Sequence, residues 1–221
     1  MIVCKAYYLA YFYNMNNYFP WGKMWLEQIQ RIAKLAQVRY QQGQLLVIAV
    51  DGCGGAGKST LCRALAAEIE PWAPTQLLQL DNFYHPLSAT QRAQLQHAKA
   101  REAYFNAAEF KKNILSPLCK GLIAGYKPFH WLEGESDQVI KLAPSGVLLL
   151  DGVFSFSKPL REMVGLSLFV DTPLQLRKQR LIERPQLDIE WVNHWQSTES
   201  WHHQQELTST ATEFMVSGTD G

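Results

Sequence analysis

Residues Leu45-Leu46-Val47-Ile48-Ala49-Val50-Asp51-Gly52-Cys53-Gly54-Gly55-Ala56-Gly57-Lys58-Ser59 decide the fold. The first six are a continuous apolar run, the pattern of a strand buried on both faces of a parallel sheet. From Gly52 the chain matches G-x-x-x-x-G-K-[ST]. Glycines in such a stretch admit positive φ and keep side chains away, so that successive backbone N–H groups face one concavity. Leu61 to Ile69 reads as a helix, and the positive end of its dipole adds to that field. Strand, glycine-rich turn and helix in that order make a phosphate-binding loop. Gly52, Gly54, Gly55, Ala56, Gly57, Lys58, Ser59 and Thr60 are therefore expected to hold a nucleotide. Lys58 would bridge its outer phosphates, and the Ser59 hydroxyl would ligate Mg²⁺.

Outward from this loop, strands and helices alternate. Apolar residues from Trp25 to about Gln41 recur at helical spacing, and Gly43 stops that helix. Further strands are expected at Gln76–Leu80, Val147–Leu150, Leu166–Val170 and Glu213–Val216. Helical or helix-prone stretches lie at 87–103, 109–122 (interrupted by Pro117), 173–183 and 189–205. The segments 127–131 and 138–141 look like the two arms of a small hairpin or flap. This alternation implies right-handed βαβ units. The expected fold is an α/β, doubly wound, mostly parallel five-stranded sheet with helices on both faces, plus a small lid and flap.

Two carboxylates close strands beside the loop. Val147–Leu150 runs into Asp151, placed to hold Mg²⁺ through water. Asp81 follows the second strand, and in an open α/β sheet ligands bind at the carboxyl ends of strands. Asp81 could thus take the proton of an attacking hydroxyl. Arg177, Arg180 and Arg184 fall on one face of a helix and could neutralise charge on a transferring phosphoryl group. Tyr84, Tyr104, His130 and Trp131 are candidate walls of an acceptor pocket. Cys53 is a spacer in the loop, where backbone donors could lower its thiol pKa. His194, His202 and His203 lack the spacing of helical zinc ligands and are expected at the surface.

Composition narrows the partners. A formal net charge of +1 with no basic block gives no nucleic-acid footprint. The run Ala6–Tyr13 falls well short of a membrane span, so no membrane partner is expected. Residues 1–23 read as a disordered or misassigned leader, with Met15 and Met24 as alternative starts, and 24–221 as a single domain. Four cysteines without a CxxC pair suggest reduced thiols and a cytoplasmic setting. A guanine-reading Asn-Lys-x-Asp motif is absent from the sequence. A homo-oligomer is compatible with all of this.

Together, Gly52–Thr60, Asp81-Asn82-Phe83-Tyr84, Asp151-Gly152-Val153-Phe154 and Phe169-Val170-Asp171-Thr172 with the arginines that follow resemble the uridine kinase and phosphoribulokinase group. The likeness spans about Leu45 to Gly218. It implies ATP and Mg²⁺ as cofactors, a small-molecule hydroxyl acceptor and Asp81 as general base. Arg184 would join the nucleotide contacts, and uridine or cytidine would be the acceptor. Three positions depart from the family pattern. Asn106 stands where the family has an acceptor-binding aspartate, Phe129-His130-Trp131 replaces Val-Tyr-Asp, and Arg184-Pro185-Gln186-Leu187 lacks the second arginine pair. Other acceptors are thereby admitted: nicotinamide riboside, pantothenate, a sugar phosphate or glycerate. A degenerate nucleotide-binding protein without turnover is the other alternative.

Overall fold

In the computed structural model, which describes residues 23–130, 134–183 and 189–219, the apolar runs become a parallel sheet. Strands β1 (Leu45–Asp51) and β2 (Thr75–Gln79) are followed by four short strands. These are β3 (Ala124–Tyr126), β4 (Phe129–His130), β5 (Gly134–Glu135) and β6 (Ile140–Leu142). The chain then makes β7 (Gly146–Asp151), β8 (Leu166–Asp171) and β9 (Phe214–Ser217). The main sheet has the order β2-β7-β1-β8-β9, with every neighbouring pair parallel.

Period-two alternation sorts the strand residues into two layers. Leu46, Ile48 and Val50 face a cluster built with helix α1 (Lys23–Arg39) and helix α2 (Lys58–Ile69), through Ile29, Ile32, Leu61 and Leu65. Val47, Leu148 and Leu150 face the other cluster, which holds Tyr84, Tyr104, Phe105, Phe154 and Trp195. Burying such side chains stabilises by roughly 1.5–3 kcal/mol each before entropy is counted. Helices therefore cover both faces, as the continuous apolar runs require. No helix among the described residues is long and apolar enough to cross a membrane.

The connections differ in detail from the sequence reading. The stretch 87–103 is two helices, α3 (Ala89–Gln94), opened by a Ser88–Gln91 capping box, and α4 (His97–Tyr104). The stretch 109–122 starts earlier and ends earlier. It runs as α5 (Ala107–Phe110), a π turn over Lys111–Leu115, and α6 (Ser116–Cys119). Pro117 has no N–H to give to the carbonyl of Asn113, and the π turn lies just before it. The expected pairing of 127–131 with 138–141 does not form. Instead β3 pairs with β6 and β4 with β5, both antiparallel, giving one hairpin nested in another. Helices α7 (Leu174–Ile182), α8 (Ile189–Glu206) and α9 (Thr208–Ala211) complete the chain. Trp131, Arg184 and residues 1–22 of the expected leader lie outside the described residues, while Lys23 opens α1.

Candidate active site

Register brings the three strand ends together. Val50 pairs with Asp151 across β1 and β7, and Gln79 pairs with Asp151 across β2 and β7. The phosphate loop, Asp151 and the turn after β2 therefore share one edge of the sheet, where a doubly wound fold binds its ligands.

Within the loop the backbone takes the shape the glycines permit. Gly52 and Gly55 have φ of 137° and 77°. A Cβ on Gly52 would stand 2.5 Å from the Val170 carbonyl oxygen, and one on Gly55 would stand 2.7 Å from that of Arg177. Only glycine fits the loop between β8 and α7. Lys58 opens α2 and is 9% exposed, with its Nζ donating to the Cys53 carbonyl at 3.0 Å. Ser59 follows it.

Asp151 is buried, and burial pushes its carboxyl above the ordinary range. Lys58, the Ser59 hydroxyl, Arg63 and the Gln79 side chain act in the opposite direction. One oxygen, Oδ2, has no hydrogen-bond partner. A buried carboxylate oxygen left unpaired beside a hydroxyl and a phosphate cradle fits a hard cation. Among the described residues no group of three or more His, Cys, Asp or Glu is placed to hold a metal. Such a cation would thus rest on Ser59, Asp151, water and phosphate oxygens.

Asp81 is exposed, in the 3₁₀ turn Leu80–Phe83 directly after β2. Arg180 reaches the loop directly and Arg177 reaches it through Glu199. Arg180 Nη1 donates to the Gly55 carbonyl at 3.2 Å and Nη2 to that of Gly218 at 3.0 Å. Arg177 Nε donates to the Thr172 carbonyl at 3.0 Å, and its Nη1 lies 3.1 Å from Glu199 Oε1.

Glu199, which the sequence reading did not single out, is 0% exposed. Its Oε2 accepts the Gly54 amide N–H at 2.7 Å. Burial pushes its carboxyl up, while that N–H, Lys58, Arg177 and the Trp195 indole favour the charged form. Asp51 was also passed over. Fully buried, it accepts from the amides of Gly52, Phe154 and Phe156 at 2.7, 3.1 and 2.9 Å. A carboxylate ending an apolar strand was the available sign, because a buried charge must be paired. Glu199 gave no such sign, since the buried face of α8 mixes Val192 and Trp195 with Gln196, His202 and His203.

Three sequence expectations change. The Cys53 thiol is pushed up, not down, first by burial and then by Glu199. His202 and His203 are buried, not at the surface, with His202 held down to about 2 by burial. Tyr104 lies in the core with its hydroxyl 3.0 Å from His194 Nδ1, and is not a pocket wall.

A cavity of about 400 Å³ opens next to the turn that carries Asp81. Its polar lining includes Asn82, Asn106, Glu109, Asn113 and Lys127, and Phe83, Phe110 and Phe129 supply aromatic walls. Tyr84 also borders it, with its hydroxyl donating to the Val153 carbonyl at 2.6 Å. Asn106 caps α5 by accepting the Glu109 N–H at 3.1 Å. Asn113 sits on the π turn, a distortion common at functional sites. For His130 only the backbone, paired with Gly134, is described.

The sequence pattern of the phosphoribulokinase / uridine kinase family matches residues 47–189, well over half of the chain. The chain belongs to that family. It is a P-loop kinase and a phosphotransferase with a small-molecule substrate. No curated protein matches it. Among solved structures, a possible uridine kinase from Bacillus stearothermophilus superposes with TM-score 0.65 at 16% identity, over 86% of this chain and 97% of that one. A protein provisionally described as a fructose transport system kinase, from Silicibacter sp. TM1040, gives 0.65 at 18% identity, over 85% and 98%. D-glycerate 3-kinase from Cryptococcus neoformans gives 0.54 at 13% identity, over 89% and 96%. At such identities the superpositions speak for the fold of this kinase.

Proposed function

We propose that the chain transfers the γ-phosphate of ATP to a hydroxyl of a nucleoside-like metabolite, with uridine or cytidine as the leading acceptors. The observation that carries this reading is the cavity of about 400 Å³ lined by Asn82, the neighbour of Asp81, at the strand ends that carry the phosphate loop. That volume is within the range of small-molecule sites. The amides of Asn82 and Asn113, with the opposite charges of Glu109 and Lys127 in the same lining, suit a neutral acceptor rich in hydroxyl and carbonyl groups.

In this reading the loop amides and the α2 dipole hold the triphosphate, and Lys58 bridges its outer phosphates. Ser59 and Asp151 would hold Mg²⁺, which when bound offsets phosphate charge. Asp81 takes the acceptor's proton as its oxygen bonds to the γ-phosphorus and the bond to ADP breaks. Arg177 and Arg180 neutralise charge on the moving group, a role Arg184 would share. A cytosolic setting belongs to the same reading, supported by the free thiols of Cys53, Cys62 and Cys119.

The test is ADP release measured across a panel of nucleosides, sugar phosphates, glycerate and pantothenate. Turnover confined to the anionic acceptors would overturn the nucleoside-like reading. ATP binding without turnover on any acceptor would favour a nucleotide-binding protein that has lost catalysis. The Gly54–Glu199 contact gives that second reading its support.

A further inference from the structure

Two donors of the phosphate loop already have partners. Lys58 Nζ is spent on the Cys53 carbonyl at 3.0 Å, and the Gly54 amide on the Glu199 carboxylate at 2.7 Å. The same carboxylate holds the Arg177 guanidinium at 3.1 Å. A carboxylate has the charge and acceptor geometry of a phosphate edge. Here it lies against a loop amide, within the electrostatic reach of Lys58 and shut off from water. Arg177, Lys58 and an amide donor around a buried anion are the set that a terminal phosphate would ask for.

We infer that Glu199 is the resident anion of the phosphate loop, standing where the terminal phosphate of the nucleotide binds, and that nucleotide binding displaces it. The inference rests on the reading of the loop as a triphosphate site. Two anions cannot share one amide and one guanidinium at this depth without strong like-charge repulsion. The nucleotide must therefore move Glu199, and its departure frees Arg177 for the phosphate.

The displacement also reaches the acceptor side, because Glu199 rides on α8. Through His194 that helix holds the segment that leads into the cavity: Nε2 donates to the Leu95 carbonyl at 2.7 Å, and Nδ1 lies 3.0 Å from the hydroxyl of Tyr104, the residue before the lining residue Phe105. Trp195 on the same helix packs against Tyr84, a residue of the cavity, with ring centroids 5.1 Å apart. Entry of the nucleotide is thereby coupled to the shape of the acceptor pocket.

Glu199→Gln keeps the volume and one acceptor oxygen but removes the charge. Calorimetry with the Mg²⁺ complex of a β,γ-imido ATP analogue should show the variant binding at least about tenfold more tightly than wild type. A carboxylate that merely braces the loop makes the opposite demand: losing it would leave affinity equal or weaker. Either of those results overturns the inference, and wild-type binding at ordinary strength would then leave the kinase reading standing. If neither protein binds the analogue, both readings fall. A second measurement needs no variant. Amide exchange of residues 196–203 in wild type should rise when the analogue binds, as the Glu199 anchor is released. Exchange that is unchanged or slower overturns the inference as well.

Discussion

The Asp51 carboxylate accepts the Phe154 amide N–H at 3.1 Å and so fastens the strand before the phosphate loop to the turn after Asp151. Its second oxygen takes the Phe156 amide at 2.9 Å, and the Gly52 amide shares the first at 2.7 Å. Three backbone donors on one fully buried side chain hold the two acidic strand ends in register. Asp51→Asn would turn an NH₂ group toward an amide N–H in the interior. Such a mismatch should cost about 2–3 kcal/mol. Urea unfolding should show a lower midpoint at unchanged slope.

Lys58→Ala should leave the fold intact and remove most phosphoryl transfer. Its Nζ donates to the loop's own Cys53 carbonyl, a contact the fold does not depend on. Loss of a positioned cation at developing charge lowers kcat by ~10²–10³. Steady-state ADP release beside a thermal melt checks both halves. Near-normal turnover would remove the role assigned to Lys58.

Asp81→Asn separates a base from a turn residue. Asp81 sits in an exposed turn outside the loop proposed to hold the nucleotide, so ATP affinity should stay nearly unchanged. Transfer to the acceptor should slow by ~10²–10⁴, the usual worth of a general base. Calorimetry with ATP and ADP release with the best acceptor form the pair of measurements. A variant that turns over like wild type would show that the base lies elsewhere.

Gly55→Ala tests the packing of the loop against α7. The position has φ of 77°, and the added methyl would lie 2.7 Å from the Arg177 carbonyl oxygen. Backbone strain of about 1–3 kcal/mol is expected, together with a shift of the loop from its place beneath Arg177. Both the urea midpoint and ATP affinity should fall. A variant of wild-type stability would contradict the packing of α7 on the loop.

Acid should destabilise the chain through His202. Burial holds its pKa at about 2, against about 6.5 for an unfolded histidine. Between those values the unfolded chain binds a proton that the folded chain refuses. Stability is then complete above pH ~6.5 and falls below it by up to ~1.4 kcal/mol per pH unit. His203, lowered mainly by burial, acts in the same direction. Glu199 and Asp151 are raised mainly by burial and act oppositely, starting from the lower carboxylate range. Wild type and His202→Gln share both carboxylates, so the difference between them isolates the histidine slope below pH ~6.5. Urea midpoints across that window should show a shallower slope in His202→Gln than in wild type.

What could be read from the chain alone was local. The motif Gly52–Ser59 is contiguous, and each of its residue types answers to a need of the backbone at that point. The apolar runs at Leu45–Val50 and Val147–Leu150 state burial on both faces whatever their neighbours are, so the parallel sheet followed from them. Tertiary structure decided what depends on residues far apart in sequence. Glu199 meets Gly54 across 145 positions, and Asp51 meets Phe154 across 103. The nested hairpins of β3–β6 likewise turn on which segments meet in space, which alternation along one segment does not encode. Burial of His202 and His203 was set by the sheet and the turn they pack against, not by the helix that carries them. A charge states its own need for a partner, but only the folded chain supplies one, and in this kinase it supplies Glu199 with a phosphate loop.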